Sequence, residues 1–375
     1  MGYIVLSIQN IAKVGGFFLI YTALAFYMGW NGWVWLETSF GASHIYLYGV
    51  IVAVFAYSYL ISQPFSSASP VRVVGSYWLG IFQYALLIFP LADLLAWILQ
   101  TTVIDREDAI VWTGIAVVAL FIWIFVSGTF NAYSPVVRPY EVTVAKNAGS
   151  RKQLRIAMAS DMHFGTLSGR AHARRLVAKI NELKPDLILL PGDIIDDDPK
   201  AFMKKGIGDI LKELHAPLGV YGVLGNHEYY GKQIPVFLEE MKRINIQMLL
   251  DETMMIDDSF YLVGRKDKTD HHRESFQQLT SSLRHKIPII AMDHQPSDLQ
   301  NAEESRVDLL LSGHTHRGQM APNHLFTKKL FEVDWGYLRK NQMHVIVSSG
   351  FGFWGPPLRL GSRSEIIQID VTFKA

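Results

Sequence analysis

The chain has 375 residues, with 35 Lys plus Arg against 34 Asp plus Glu and a formal net charge of +1, so no strongly basic character points to nucleic acid as a partner. Cysteine is absent, which excludes disulfides and thiolate metal sites. The length allows more than one domain, and the charges divide the chain unevenly.

Residues 1–129 hold only three basic side chains (Lys13, Arg72, Arg106) and five acidic ones (Glu37, Asp93, Asp105, Glu107, Asp108), yet seven of the nine Trp. Four apolar stretches run over 14–35, 44–62, 77–99 and 110–130, each near the ~20 residues a spanning helix needs. Lipid offers the backbone no hydrogen bonds, so each stretch must close its own bonds as a helix. Trp30, Trp33, Trp35, Trp78, Trp97 and Trp112 sit near the ends, as interfacial aromatics do. No small-residue cleavage site follows the first stretch, so it reads as a retained span and not as a signal peptide. The expectation is a four-helix transmembrane domain at 1–130 of a multi-pass cell-membrane protein. Lys13, Arg72, Arg138 and Lys146 then share one side and Arg106 lies opposite, which predicts cytoplasmic termini and a cytoplasmic catalytic half. Asp93 falls inside the third span near Pro90. An intramembrane carboxylate marks a functional site by default. No span supplies a basic partner, and the preferred reading is that Asp93 is protonated or sits near the helix end facing a neighbour.

Residues 131–150 lose the long apolar runs and carry two Pro, which predicts a linker with one strand near 141–145. Beyond it, short apolar runs at 154–159, 187–190, 220–224, 246–250, 260–263, 287–292, 307–311, 344–348 and 366–371 alternate with helical stretches at 171–183, 201–214 and 235–244. Interleaved strands and helices predict an α/β domain over 151–375.

Several of these runs end in Asp, His or Asn: Ser160-Asp161-Met162-His163, Gly192-Asp193, Gly225-Asn226-His227-Glu228, Asp293-His294 and Gly313-His314-Thr315-His316. Ligands of open α/β sheets bind at the carboxyl ends of strands, so the five clusters can share one rim. Asp, Asn and neutral His suit manganese, iron or zinc. One Asp can bridge two cations, which together clamp the oxygens of an in-line displacement. A lone His is more often an ordinary residue than a ligand; the ordered set is what argues for a metal site.

That ordered set resembles the calcineurin-like metallophosphoesterase superfamily over about residues 154–372. The stretch 349–359, with Glu365, resembles its bacterial branch that carries N-terminal membrane segments. The resemblance implies a four-layer sandwich of two mixed β-sheets flanked by helices, with metals at one edge. It implies a first metal on Asp161, His163, Asp193 and His316, and a second on Asp193, Asn226, His294 and His314, with Asp193 as the bridge. It implies His227 as the catalytic histidine near the leaving-group oxygen, not a ligand. Arg317 stands where this branch often has Gly; contact with a phosphate oxygen and a solvated position remain equal readings.

Asp196 reads as a residue that orients a loop or a ligand, Asp197 and Asp198 as a solvated run, and Glu228 as support behind Asn226 or His227. His271 and His272, in the polar stretch 265–274, read as solvated. Phe351, Trp354, Trp335 and Tyr337 divide between packing and contact with an acyl chain; Met254 and Met255 read as strand core or hairpin. The functional expectation is a membrane-anchored hydrolase of phosphodiesters or phosphomonoesters, with diesters ahead. Its cofactors are two divalent metal ions, manganese first and iron or zinc as alternatives. Its partners are the lipid bilayer and a phosphoester substrate, which location alone suggests is lipid-linked; no protein partner is expected. The alternative is a membrane sensor or scaffold that uses the same domain to bind a ligand. A domain so retired would be expected to lose ligands, and none is missing.

Overall fold

The computed structural model describes residues 8–62 and 70–374. Positions 1–7, 63–69 and 375 lie outside the described residues, and with them the start of the expected membrane domain and the loop between its second and third spans. The chain divides into two compact units, Met1–Phe125 and Val126–Ala375.

The apolar stretches form helices: α1 (Ile8–Phe40), α2 (Ile45–Ser62), α3 (Pro70–Gln100) and α4 (Arg106–Tyr133), whose last turns belong to the second unit. Gly41, in the left-handed region at φ 64°, ends α1 with its amide on the Glu37 carbonyl. Glu107 and Asp108 in the first turn of α4 complement its dipole. Among the described residues, α3 and α4 are long and apolar enough to cross a bilayer, and Pro90 lies inside α3. α1 and α2 are apolar helices of 33 and 18 residues. Asp93 accepts a hydrogen bond from the Tyr27 hydroxyl on α1, a contact with a neighbouring helix.

In the second unit, the first sheet has the order β1-β12-β2-β3-β4-β5, from β1 (Val136–Val144), β2 (Gln153–Met158), β3 (Leu187–Pro191), β4 (Val220–Val223), β5 (Gln247–Met248) and β12 (Glu365–Phe373). The second has the order β10-β11-β9-β8-β7-β6, from β6 (Glu252–Ile256), β7 (Phe260–Gly264), β8 (Ile289–Met292), β9 (Leu309–Ser312), β10 (Gly336–Lys340) and β11 (Met343–Val347). Both sheets are mixed: β12 runs antiparallel to β2, and β10 and β6 run antiparallel to their neighbours. Alternation along the strands builds the layers. Ile156, Met158, Leu187 and Leu189 join Ile290, Leu309 and Leu311 in one core between the sheets. Ala157, Ile188 and Leu190 face the opposite way, onto α5 (Arg170–Glu182), α7 (Ile207–Leu211) and α9 (Ile234–Arg243). Val263, Ile289 and Leu310 face α10 (Phe276–Thr280) and α11 (Leu299–Glu304). Central strands buried on both faces explain their unbroken apolar runs.

The stretch 131–150 is more ordered than a linker. It holds β1, nine residues paired in parallel with β12 from Val136↔Glu365 to Val144↔Phe373. Pro139 fits there because an edge strand leaves one row of amides unpaired. Met254 and Met255 lie in β6, which forms a hairpin with β7.

Candidate metal centre

The parallel strands β2, β3 and β4 of one sheet, and β8 and β9 of the other, deliver the Asp, Asn and His clusters from their carboxyl ends. The turns after them are tight and unusual. Asp161, His163, Asp193, His314 and His316 all have φ between 44° and 72°, a region that costs most residues energy and that clusters at functional sites. Backbone bonds hold these turns in place. Asp161 N donates to Gly192 O (3.0 Å), His163 N to Asp193 O (3.0 Å) and Gly313 N to His294 O (3.0 Å). Gly192 has to be glycine, because φ is 84° and a Cβ would stand 2.5 Å from His294 Nδ1.

The seven expected donors meet in two adjoining groups, both buried. In the first, His163 Nε2 lies 3.0 Å from His316 Nε2, and His316 Nε2 lies 3.6 Å from Asp161 Oδ1. In the second, Asn226 Oδ1 lies 2.9 Å from His314 Nδ1 and 3.2 Å from His294 Nε2. Asp193 Oδ2 stands between them, 3.8 Å from His163 Nε2 and 3.2 Å from His294 Nε2.

The donor set fits divalent cations. It is all nitrogen and oxygen, and three-member groups from each half have ligand atoms within 4.8 Å of one another. His294 Nδ1 donates to Pro191 O (2.8 Å), which orients Nε2 toward Asp193 and would leave Nε2 free to ligate once a cation takes the place of its proton. His163 Nδ1 is buried without a partner. Burial pulls His163 and His316 well below the usual histidine range, so both rings are neutral and able to ligate. Burial would also lower His294, but Asp193 beside it carries it well above that range; the second group seeks positive charge. Burial would raise Asp193, yet His294 holds it well below the usual carboxylate range.

His227 stands beside the donors, not among the seven, with its ring 4.5 Å from that of His163 and edge-on to it. Its Nδ1 lies 2.7 Å from Asp197 Oδ1. Burial works against its charged form, but the Asp197 hydrogen bond together with the negative charges of Asp193, Asp197 and Asp196 overcomes it and pushes the imidazole up to about 9. Asp197, expected in a solvated run, is therefore the partner of His227, while Asp198 caps α6 (Pro199–Lys204) by accepting from Lys200 N (2.9 Å). Asp196 comes within ligand distance of His163 and His227. Glu228 supports a different neighbour from those expected. Its carboxylate accepts from Gly225 N (2.7 Å), Asp193 N (3.1 Å) and Ile195 N (3.0 Å), so it fixes the Asp193 turn.

Two further features escape sequence reasoning. Arg359 is fully buried; its guanidinium donates to Gly352 O (2.6 and 3.0 Å), Ser362 Oγ (3.2 Å) and His316 Nδ1 (3.1 Å). Gly352 N in turn donates to Asp161 O (2.8 Å), so one side chain braces both turns of the first group. Within 265–274, His271 and His272 are exposed as expected, but Arg265 and Asp267 are buried. Arg265 reaches Asp293 (3.2 Å) and Asp298 (2.8 Å), and Asp267 accepts from Gln295 (2.9 Å), which fixes both neighbours of His294. Arg317 is half-buried, with its guanidinium stacked 3.9 Å above Trp335 and its Nε unpartnered. Phe351 is buried, whereas Trp354 and Tyr337 are exposed.

A family model described as calcineurin-like phosphoesterase matches residues 154–318. A bovine protein named transmembrane protein with metallophosphoesterase domain is 32% identical over 263 residues, 65% of this chain and 59% of its own length. An uncharacterized metallophosphoesterase of Campylobacter jejuni is 30% identical over 270 residues, covering 69% of this chain and 70% of that protein. One from Aquifex aeolicus is 30% identical over 230 residues, covering 59% of this chain and 86% of that protein. The chain thus spans about three-fifths of the bovine relative's length.

Proposed function

We infer the function from one premise: this chain belongs to the calcineurin-like metallophosphoesterase family. We propose that it is a membrane-anchored hydrolase of phosphoesters that uses a pair of divalent metals. Asp161, His163, Asp193 and His316 would hold one ion, and Asp193, Asn226, His294 and His314 the other. The observation that carries this reading is Asp193 Oδ2, within 3.8 Å of His163 Nε2 and 3.2 Å of His294 Nε2, where one carboxylate serves both groups. When bound, two such cations supply Lewis acidity toward the phosphoryl oxygens and make water more acidic. Manganese fits the mixed carboxylate, amide and imidazole set, as iron or zinc would.

The protein's own part in leaving-group departure falls to His227. Asp197 ties its Nδ1 and stabilises the imidazolium, so the proton on Nε2 is the one given to the departing oxygen. Diesters are favoured over monoesters because most of the neighbouring arginines are already engaged. Arg265 and Arg273 lie on Asp293 and Arg359 on Gly352 and His316, which leaves Arg317, stacked on Trp335 with its Nε unpartnered, as one guanidinium for the single charge of a diester. A dianionic monoester would ask for further cationic contacts.

Four helices crossing the bilayer, with Lys13, Arg72, Arg138 and Lys146 toward the cytoplasm, complete the reading. It is supported by the length and apolarity of α3 and α4 and by side chains such as Leu19, Phe26, Leu91 and Trp112, which are more than half exposed. In water that exposure would be unfavourable by ~25 cal/mol per Å². Location at a bilayer favours a lipid-linked phosphoester. The test is hydrolysis by the purified chain, with and without Mn2+, of an aryl phosphodiester, an aryl phosphomonoester and a lipid pyrophosphate. Absence of metal-stimulated turnover on all three by a folded sample that takes up Mn2+ would sink the hydrolase reading. Protease accessibility in intact cells tests the side of the membrane.

A further inference from the structure

Between the His314-to-His316 turn and β10 the catalytic unit carries a short helix, α12 (His324–Leu330), with no buried residue. Leu325, Phe326 and Leu330 on it are 61%, 67% and 76% exposed, and Trp354 is 51% exposed. By helical spacing the three side chains fall within an arc of about 140°. Lys328 and Lys329 lie on the same helix. Apart from Val126 and Phe130 on α4, the unit's other exposed large apolar side chains, Met203, Tyr230, Val236 and Tyr337, each lie on a different element, so a cluster on one short helix marks a surface built to meet something apolar.

The cluster has a definite place. The Gln319 side chain holds Trp354 on both sides, donating to its carbonyl (3.0 Å) and accepting from its amide (3.1 Å), five residues before α12 begins. Ala321 N donates to Leu360 O (2.8 Å), and the adjoining Arg359 N donates to Gly128 O (3.0 Å) in the last turns of α4. Leu358 fills the space beside Gly128, 3.2 Å from where a Cβ would stand. On those same turns Val126 and Phe130 are exposed. At its other end α12 leads into Phe331, whose ring stands edge-on to His314 at 6.1 Å.

We propose that α12 and Trp354 form a membrane-contact element. Leu325, Phe326, Leu330 and Trp354 enter the boundary between headgroups and acyl chains of the bilayer that α4 crosses, and Lys328 and Lys329 rest on anionic headgroups. Large apolar side chains beside lysines on one short helix match an interfacial helix, and an indole suits the same depth. The contact places Phe331 and His314 at the membrane surface, so the phosphoester reaching the site belongs to the lipid itself. The inference rests on the reading of α4 as a span.

Because the chain has no cysteine, a single label reports one place. F326C, L330C and, as a control on the exposed β6–β7 turn, D258C carry an environment-sensitive fluorophore in the full chain, reconstituted into nanodiscs of phosphatidylcholine with phosphatidylglycerol. The expected result is a blue shift at 326 and 330, quenching by brominated lipid, and shielding from aqueous iodide, with none of these at 258. Iodide quenching at 326 equal to that at 258, in a chain that has incorporated, overturns the proposal and leaves the span intact. Failure to incorporate removes the span and the proposal with it. Shielding without lipid quenching, growing with two chains per disc, would assign the patch to a second copy and also overturn it. The triple variant L325E/F326E/L330E should retain turnover of a soluble diester and lose about tenfold on a vesicle-borne one.

Discussion

His227 and Asp197 form a pair whose chemistry can be read from the pH dependence. Asp197 holds the imidazole protonated up to about 9, so the proton-donating form is present below that value and lost as the pH rises through it. Bound cations nearby would draw the alkaline limb lower. D197N should therefore shift the alkaline limb of kcat/KM to lower pH, while D198N, which touches only the α6 cap, should leave it in place; a pH–rate series on both variants checks this. H227A should lose roughly 10²–10⁴-fold on a diester with a poor leaving group and much less on an aryl diester, with metal content unchanged. Equal losses across leaving groups would argue against proton donation. D193N should cost roughly 100-fold or more and reduce bound manganese, because one carboxylate is shared by both groups. The seven side chains that the fold brings together are legible in the sequence because the proposed ligation draws on few side-chain types, placed at strand ends by the fold. Asp197 is not, since which of three consecutive aspartates meets His227 depends on the turn at Asp197, where φ is 57°.

Loops and helix ends carry the support for that chemistry. The segment 349–359 wraps the first group. Phe351 N and Gly352 N bind the carbonyls of Ser160 and Asp161, and the Arg359 fork returns to His316. Lys cannot reproduce a planar fork with donors in three directions. R359K should thus lower manganese stoichiometry toward one ion per chain more than it lowers the melting temperature; equal metal content in metal-binding titrations of both proteins would remove the brace from the account. Arg359 is itself held by Gly128 O and by Asn131 Nδ2, whose acceptor is the Arg359 carbonyl (3.2 Å), so the last turns of α4 belong to the catalytic unit. The central strands announce themselves as apolar runs because both their faces are buried. Of the edge strands, β1 is legible only in its second half and β6 only at Met254 and Met255, while β10, with a half-exposed face, is lost among loop residues. Among the described residues, α3 and α4 meet the length and apolarity of a span.

If the first unit lies in a bilayer as proposed, two units with different solvents should respond differently to metal. The ligand groups lie wholly within Val126–Ala375, so cations that bind only the folded site stabilise that unit and leave Met1–Phe125 unaffected. The gain is RT ln(1 + [L]/Kd), ~2.7 kcal/mol when the free ion stands at 100 times its dissociation constant. In detergent or nanodiscs, calorimetry should then resolve a transition that moves upward by several degrees with Mn2+ and falls back with a chelator, beside one that does not move. D193N should abolish the metal-dependent movement and also lower the chelated transition, because the buried Asp193–His294 pair is lost. Its buried carboxylate is ionised in the metal-free fold because His294 lies beside it, so an isosteric amide loses that attraction without opening a cavity. A single transition that shifts as one with Mn2+ would mean that the units unfold together, and that the membrane helices and the catalytic sandwich share their stability.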